Sequence, residues 1–168
     1  MEKMNVKETL WATQKDSAGP AEESHCPLCK GPGQEVQDKT VRHFVLKSLE
    51  GKVLGTNYYI CLSEDCLASY YNLEEEIVFK TKDMKIPIWF KKDANPKYIC
   101  YCNQVREEEI IQALLNKGAK DMKDIVRLTG AMKNGKCQTN NPLGKCCGPV
   151  IQELIDKTLN EKQMKAKD

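Results

Sequence analysis

Nine cysteines are the residues of this chain best suited to chemistry, and they fall into two groups. Cys26, Cys29, Cys61 and Cys66 read Cys-x2-Cys, a gap, then Cys-x4-Cys. Cys100, Cys102, Cys137, Cys146 and Cys147 read Cys-x-Cys, 34 residues, a cysteine, eight residues, then a Cys-Cys pair. Four, four and one suggest two tetrathiolate metal sites and a spare thiol. Four cysteines hold either a zinc ion or an iron–sulfur cluster, and these imply different functions.

In Cys26-Pro27-Leu28-Cys29-Lys30-Gly31 two thiolates lie on a tight knuckle, and Gly31 permits the turn. Cys61 and Cys66 flank Ser63-Glu64-Asp65, a second short loop. Two pairs held by short loops supply four tetrahedral thiolates, the pattern of a closed structural zinc site with no open position for substrate. A thioredoxin-like Cys-x-x-Cys would need a following helix in a βαβ unit, which the sequence does not offer here. His25 adjoins Cys26 and is expected to be exposed; His43 is expected to pack on a strand.

The Cys100-Tyr101-Cys102 spacing suits a bridged two-iron cluster, in which each iron takes two thiolates. Its partners are then Cys137 and one of Cys146 or Cys147. Cys147 is preferred because Gly148-Pro149 follows it, and proline is well tolerated in a first helical turn. The free N–H groups of that turn are expected to face the Cys147 sulfur, with Cys146 pointing elsewhere. Cys146 is then the candidate accessory thiol. No general acid–base pair, nucleophilic triad or phosphate loop appears, and Glu107-Glu108-Glu109 reads as a solvated first helical turn.

The elements that must position these cysteines differ between the halves, and the fold class expected is α+β. Residues 1–22 read as a flexible tail in which Leu10 and Trp11 could dock. Residues 23–92 form a small β-rich zinc-binding module, with strands expected at residues 40–46, 57–62, 76–80 and 86–90. Residues 91–96 read as a charged linker. Residues 97–160 form a helical module. Val105, Ile110, Ile111, Leu114 and Leu115 share one helix face, Asp121 caps a second helix ended by Gly130, and a third starts at Pro149. Residues 161–168 are a charged tail expected to fray.

The first twenty residues carry no apolar signal core, and no apolar run is long enough to span a membrane. A cytoplasmic setting is expected, where clustered thiols bind metal rather than pair as disulfides. The formal charge is +2; eight thiolates, a zinc dication and an oxidised two-iron core bring it to about −2. Charges of both signs are interleaved, so no nucleic-acid partner and no membrane insertion are expected.

Residues 99–103, the helix beginning Glu-Glu-Glu-Ile-Ile, Thr129-Gly130-Ala131, Cys137 and Cys147-Gly148-Pro149 resemble the bacterioferritin-associated ferredoxin (Bfd-like) [2Fe–2S] domain. That domain ends on Cys-x2-Cys, here stretched to nine intervening residues. With Lys145-Cys146-Cys147, the stretch resembles the N-terminal part of CopZ-type copper chaperones, in which a zinc module precedes a Bfd-like module. Cys26-Pro-Leu-Cys29, residues 40–43, Tyr59-Ile-Cys61, Asp65-Cys66 and Tyr70-Tyr71 resemble that zinc module, so the likeness covers residues 24–157. The resemblance implies a structural Zn2+ on Cys26, Cys29, Cys61 and Cys66, and a redox-active [2Fe–2S] cluster on Cys100, Cys102, Cys137 and Cys147. It implies one-electron transfer linked to Cu(II) reduction or copper trafficking, with a copper-handling protein or redox partner. CopZ-type chaperones also carry a heavy-metal-associated domain with a copper-binding Cys-x-x-Cys. This sequence does not contain that domain, so direct copper delivery is not expected of it alone. The alternatives are a Bfd-like electron-transfer or cluster-carrying module with no copper role, and a structural protein with two zinc sites.

Overall fold

The computed structural model describes residues 24–133 and 135–167, so the N-terminal tail with Leu10 and Trp11 lies outside the described residues. Four strands, β1 (Gly33–Val36), β2 (Tyr58–Cys61), β3 (Ala68–Asn72) and β4 (Ile77–Lys80), form an antiparallel sheet in the order β1-β2-β3-β4. Helix α1 (Asp38–Phe44) lies between β1 and β2. A two-stranded hairpin, β5 (Tyr98–Cys100) and β6 (Val105–Arg106), then leads into four helices: α2 (Glu107–Asn116), α3 (Met122–Thr129), α4 (Cys137–Asn140) and α5 (Gly148–Ala166). An antiparallel sheet followed by helices is the α+β arrangement expected.

The strand expected at residues 40–46 is instead mostly helix α1. Thr40, Val41 and Phe44 are its buried residues, a spacing that fits one helical face, and Asp38 pairs with Arg42 one turn on at 3.5 Å. Packing on that face outweighs the β-propensity of a Thr-Val-Arg-His-Phe-Val-Leu run. His43 therefore sits on a helix, edge-on to the Phe44 ring at 5.4 Å. Residues 86–90 form turns rather than a strand, because Pro87 has no N–H and the Trp89 N–H is taken by the Tyr101 hydroxyl at 2.9 Å. Strands β1 and β3 escaped the sequence reading. All five residues of β3 are buried, so it has no polar–apolar alternation to detect.

The helical half follows its sequence signals more closely. Helix α2 buries Ile110, Ala113 and Leu114, and its Glu109 carboxylate accepts the Arg106 N–H at 2.8 Å. Asp121 caps α3 by accepting the Asp124 N–H at 3.0 Å, and Gly130 ends it at φ +80°. The charged residues expected to fray continue α5 through Ala166.

One apolar core runs through both halves. Phe44 and Tyr70 from the sheet half pack with Tyr101, Ile110, Ile151 and Ile155 of the helical half. Polar bonds cross as well: the Tyr70 hydroxyl donates to Pro142 O at 2.8 Å and the Thr40 hydroxyl to Gln138 O at 2.5 Å. Lys91, expected in a linker, is 4% exposed and belongs to the interior.

Candidate metal centres

The first set is assembled by two loops at one end of the sheet. Residues 26–31 turn back on themselves through Lys30 N–H to Cys26 O at 2.9 Å and Cys26 N–H to Gly31 O at 3.0 Å, with Lys30 at φ +61°. The Gly31 N–H then reaches the Cys29 sulfur at 3.3 Å. Cys61 ends β2, opposite Gly33 of β1, and the Leu62 N–H bonds Pro32 O at 3.1 Å, which fixes one loop against the other. The Ala68 N–H reaches the Cys66 sulfur at 3.4 Å.

These loops bring Cys26, Cys29, Cys61 and Cys66 together, with all four sulfurs within 4.8 Å of one another. Cys26 and Cys66 are 3.8 Å apart, and Cys29 and Cys61 3.6 Å. A tetrahedral ion with metal–sulfur bonds of about 2.3 Å requires sulfur separations of about 3.8 Å. The donor set, four sulfurs at nearly that spacing, therefore fits zinc. Burial pushes the Cys61 and Cys66 thiols up. At Cys29 burial acts in the same sense, but the hydrogen bonds it makes with the Ser63 hydroxyl and the Gly31 N–H prevail and bring it down to about 6.

Two residues of this site were not singled out by the sequence. The Ser63 hydroxyl lies 3.4 Å from the Cys29 sulfur. The buried Lys91 ammonium donates to Ser63 O at 2.8 Å and Cys66 O at 3.3 Å, within electrostatic reach of all four thiols. Zinc with four thiolates carries a formal charge of about −2. Lys91 supplies a positive charge beside it and ties residue 91 to the Cys66 loop. Its place in a run of exposed charges gave no sign of this.

The second set is divided into two pairs. Cys100 ends β5 and Cys102 lies in the hairpin turn, while Tyr101 between them enters the core. Its hydroxyl donates to Pro87 O at 2.7 Å. Cys137 opens α4 and Cys147 caps α5. The Cys102 and Cys137 sulfurs are 3.7 Å apart, and the Cys100 and Cys147 thiols are hydrogen-bonded to each other. Two close pairs, rather than one group of four, fit a two-iron cluster whose irons each take two thiolates. Cys100 and Cys147 are buried, whereas Cys102 and Cys137 are half-buried.

Backbone and side-chain donors converge on this set. Cys100 accepts the Met132 N–H at 3.4 Å and the Asn103 amide at 3.5 Å. The hydrogen bond from Cys147, with those from Met132 and Asn103, brings the Cys100 thiol down to about 5 against the effect of burial. The same Cys147–Cys100 bond, followed by burial, pushes Cys147 up. Burial, then the neighbouring Cys102, pushes Cys137 up to about 11.

The structure thus brings Cys147, and not Cys146, to Cys100, although not by the arrangement expected. The Gly148 N–H at the start of α5 points to the exposed Cys146 sulfur at 3.4 Å. The Cys147 N–H is directed at Cys137. Cys147 is buried, whereas Cys146 is exposed.

Two protein-family models match: a zinc binding domain of CopZ type over residues 23–85 and a BFD-like [2Fe-2S] binding domain over residues 98–157. The chain is 35% identical over 129 residues to the copper chaperone CopZ of Archaeoglobus fulgidus. That match covers 77% of this chain but 60% of the relative, so the chain spans less than two thirds of the curated protein it resembles. The X-ray structure of the A. fulgidus CopZ N-terminal domain matches with a TM-score of 0.65 and 33% identity, over 77% of this chain and 96% of that one. The chain belongs to the family of the CopZ N-terminal domain, in which a CopZ-type zinc binding domain is joined to a BFD-like [2Fe-2S] binding domain.

Proposed function

We propose that this chain is a CopZ-like metal-handling protein that stores and passes single electrons. Cys26, Cys29, Cys61 and Cys66 hold a structural zinc that locks the knuckle to the sheet. Cys100, Cys102, Cys137 and Cys147 hold a [2Fe–2S] cluster. When bound, that cluster supplies one-electron chemistry, with Cu(II) as the acceptor and Cu(I) as the product. The observation that carries this reading is the pairing of the second set, Cys102 with Cys137 at 3.7 Å and Cys100 with Cys147.

The chain's own residues have separable tasks. Tyr101 anchors the Cys-x-Cys turn in the core through its buried ring and its bond to Pro87 O. Met132 and Asn103 place N–H groups on Cys100, which stabilises negative charge there. Cys146, exposed beside Cys147, is a soft accessory thiol for Cu(I). The two modules span 23–92 and 97–160 in this reading. This reading puts the chain in the cytoplasm, where clustered thiols stay reduced and bind metal. Among the described residues no helix is long and apolar enough to cross a membrane.

An electron carrier without a copper role is the second reading, favoured by Lys133, Lys136 and Lys145 in the segments of the second set, which among the described residues form no ion pair and oppose the approach of a hydrated dication. Titrating reduced, cluster-loaded protein with Cu(II) under a Cu(I)-selective chromophore separates the two. The copper reading expects about one Cu(I) per cluster as visible absorption of the oxidised form returns. Cluster absorption that does not respond to Cu(II) leaves the electron-carrier reading.

A further inference from the structure

The surroundings of the second cysteine set differ in charge from the rest of the chain. Asp and Glu number 24 in 168 residues, about one in seven. Yet none occurs between Asp93 and Glu107, and none between Asp124 and Glu153. These two carboxylate-free stretches carry all five cysteines of the second group.

The cations within them are therefore not balanced by carboxylates of the same stretches. Lys133, Lys136 and Lys145 are exposed, and among the described residues none of them takes part in an ion pair. Lys136 directly precedes Cys137 at the start of α4. Lys133 follows Met132, whose N–H reaches Cys100, and Lys145 adjoins Cys146. Helix α1 adds Lys39, whose ammonium contacts the Gln138 side chain at 3.3 Å. By contrast, Arg106 pairs with Glu108 and Glu109, and Arg127 with Asp124.

We propose that the face carrying Lys39, Lys133, Lys136 and Lys145 is the docking surface for an acidic one-electron redox protein. The inference rests on the reading of Cys100, Cys102, Cys137 and Cys147 as the cluster site. Exposed lysines in water contribute little to a static charge balance with a partly buried group. Summed over one face they steer an acidic partner strongly, because encounter responds to the field of the whole patch. The half-buried ligands Cys102 and Cys137 belong to the same segments, so a partner seated there lies over the more accessible pair. The stretch from residue 125 to 152 has no Phe, Tyr or Trp on which bases could stack, which favours a protein over a single-stranded nucleic acid.

The test is calorimetric binding of the cluster-loaded protein to two redox proteins of opposite charge, acidic flavodoxin and basic cytochrome c. Flavodoxin should bind, and its affinity should fall about tenfold as salt rises from about 20 to about 200 mM. Cytochrome c should bind weakly at both. The triple variant Lys133→Gln, Lys136→Gln, Lys145→Gln should fold and load normally, lose most of the flavodoxin affinity at low salt, and keep the wild-type midpoint potential. Salt-independent flavodoxin binding, equal affinity for cytochrome c, or duplex DNA binding as tightly as flavodoxin would each overturn the proposal. So would a variant whose potential moves while its flavodoxin affinity does not, since the lysines would then serve the cluster charge. A wild-type protein that takes up no cluster overturns the cluster reading and this inference with it. A loaded protein indifferent to flavodoxin overturns the docking surface alone.

Discussion

The ring of Phe44 meets that of Tyr101 at 5.4 Å with the planes at 66°, which joins helix α1 of the sheet half to the residue between Cys100 and Cys102. Both rings are buried, and the Tyr70 ring also meets Phe44, at 6.2 Å. The zinc half therefore supports the turn that presents two cysteines of the second set. Phe44→Ala should cost about 3–5 kcal/mol, the usual range for emptying a buried aromatic site. Loss of cluster absorption and loss of far-ultraviolet circular dichroism should coincide on heating, each at a lowered temperature. A variant that loses only the dichroism of the sheet half would show that the two halves are not coupled through this contact.

Gly31 is a tight point of the first site. A β-carbon there would stand 2.6 Å from the Ser63 hydroxyl and 3.2 Å from the Cys29 sulfur. Gly31→Ala must displace one of them, and changes beside a metal ligand commonly lower affinity about 10–100-fold. Competition with a zinc chelator measures this directly. Retention equal to wild type would mean that the loop yields without cost.

Lys91→Met removes a buried ammonium that bonds two loop carbonyls and faces four thiolates. Hydrogen bonds involving a charged group are worth about 1.5–3 kcal/mol each, and the methionine fills much of the same volume. The zinc-loaded variant should therefore be less stable to denaturant by at least about that amount and should release zinc faster to chelator. Unchanged release would limit Lys91 to packing.

Cys147→Ala and Cys146→Ala differ by one position and should behave differently. Cys147 is buried and bonded to Cys100, whereas Cys146 is exposed. The first variant should lose most cluster absorption after anaerobic reconstitution. The second should keep it and lose affinity for Cu(I). The reverse pattern would exchange the roles of the two cysteines.

Much of the candidate chemistry was legible in the sequence because metal-binding cysteines recur at short, geometry-limited spacings. Cys26-x2-Cys29 and Cys100-x-Cys102 are local features, and the caps at Asp121 and Gly130 are local too. What failed depended on tertiary contact. Residues 40–44 have strand propensity but are helical because Thr40, Val41 and Phe44 find a core on one side. Strand β3 is hidden by burial on both faces. Lys91 looks like any surface lysine until residues 63–66 fold over it. The direction of the α5 amides, towards Cys146 and Cys137, depends on backbone geometry that residue types do not encode.

The central claim is that one chain holds a zinc and a two-iron cluster in distinct tetrathiolate sets. Metal analysis with electron paramagnetic resonance on anaerobically prepared protein tests it most directly. The protein should carry about one zinc and about two irons per chain, with a half-integer spin signal that appears only on one-electron reduction. A colourless, diamagnetic protein carrying about two zincs and no iron would contradict it.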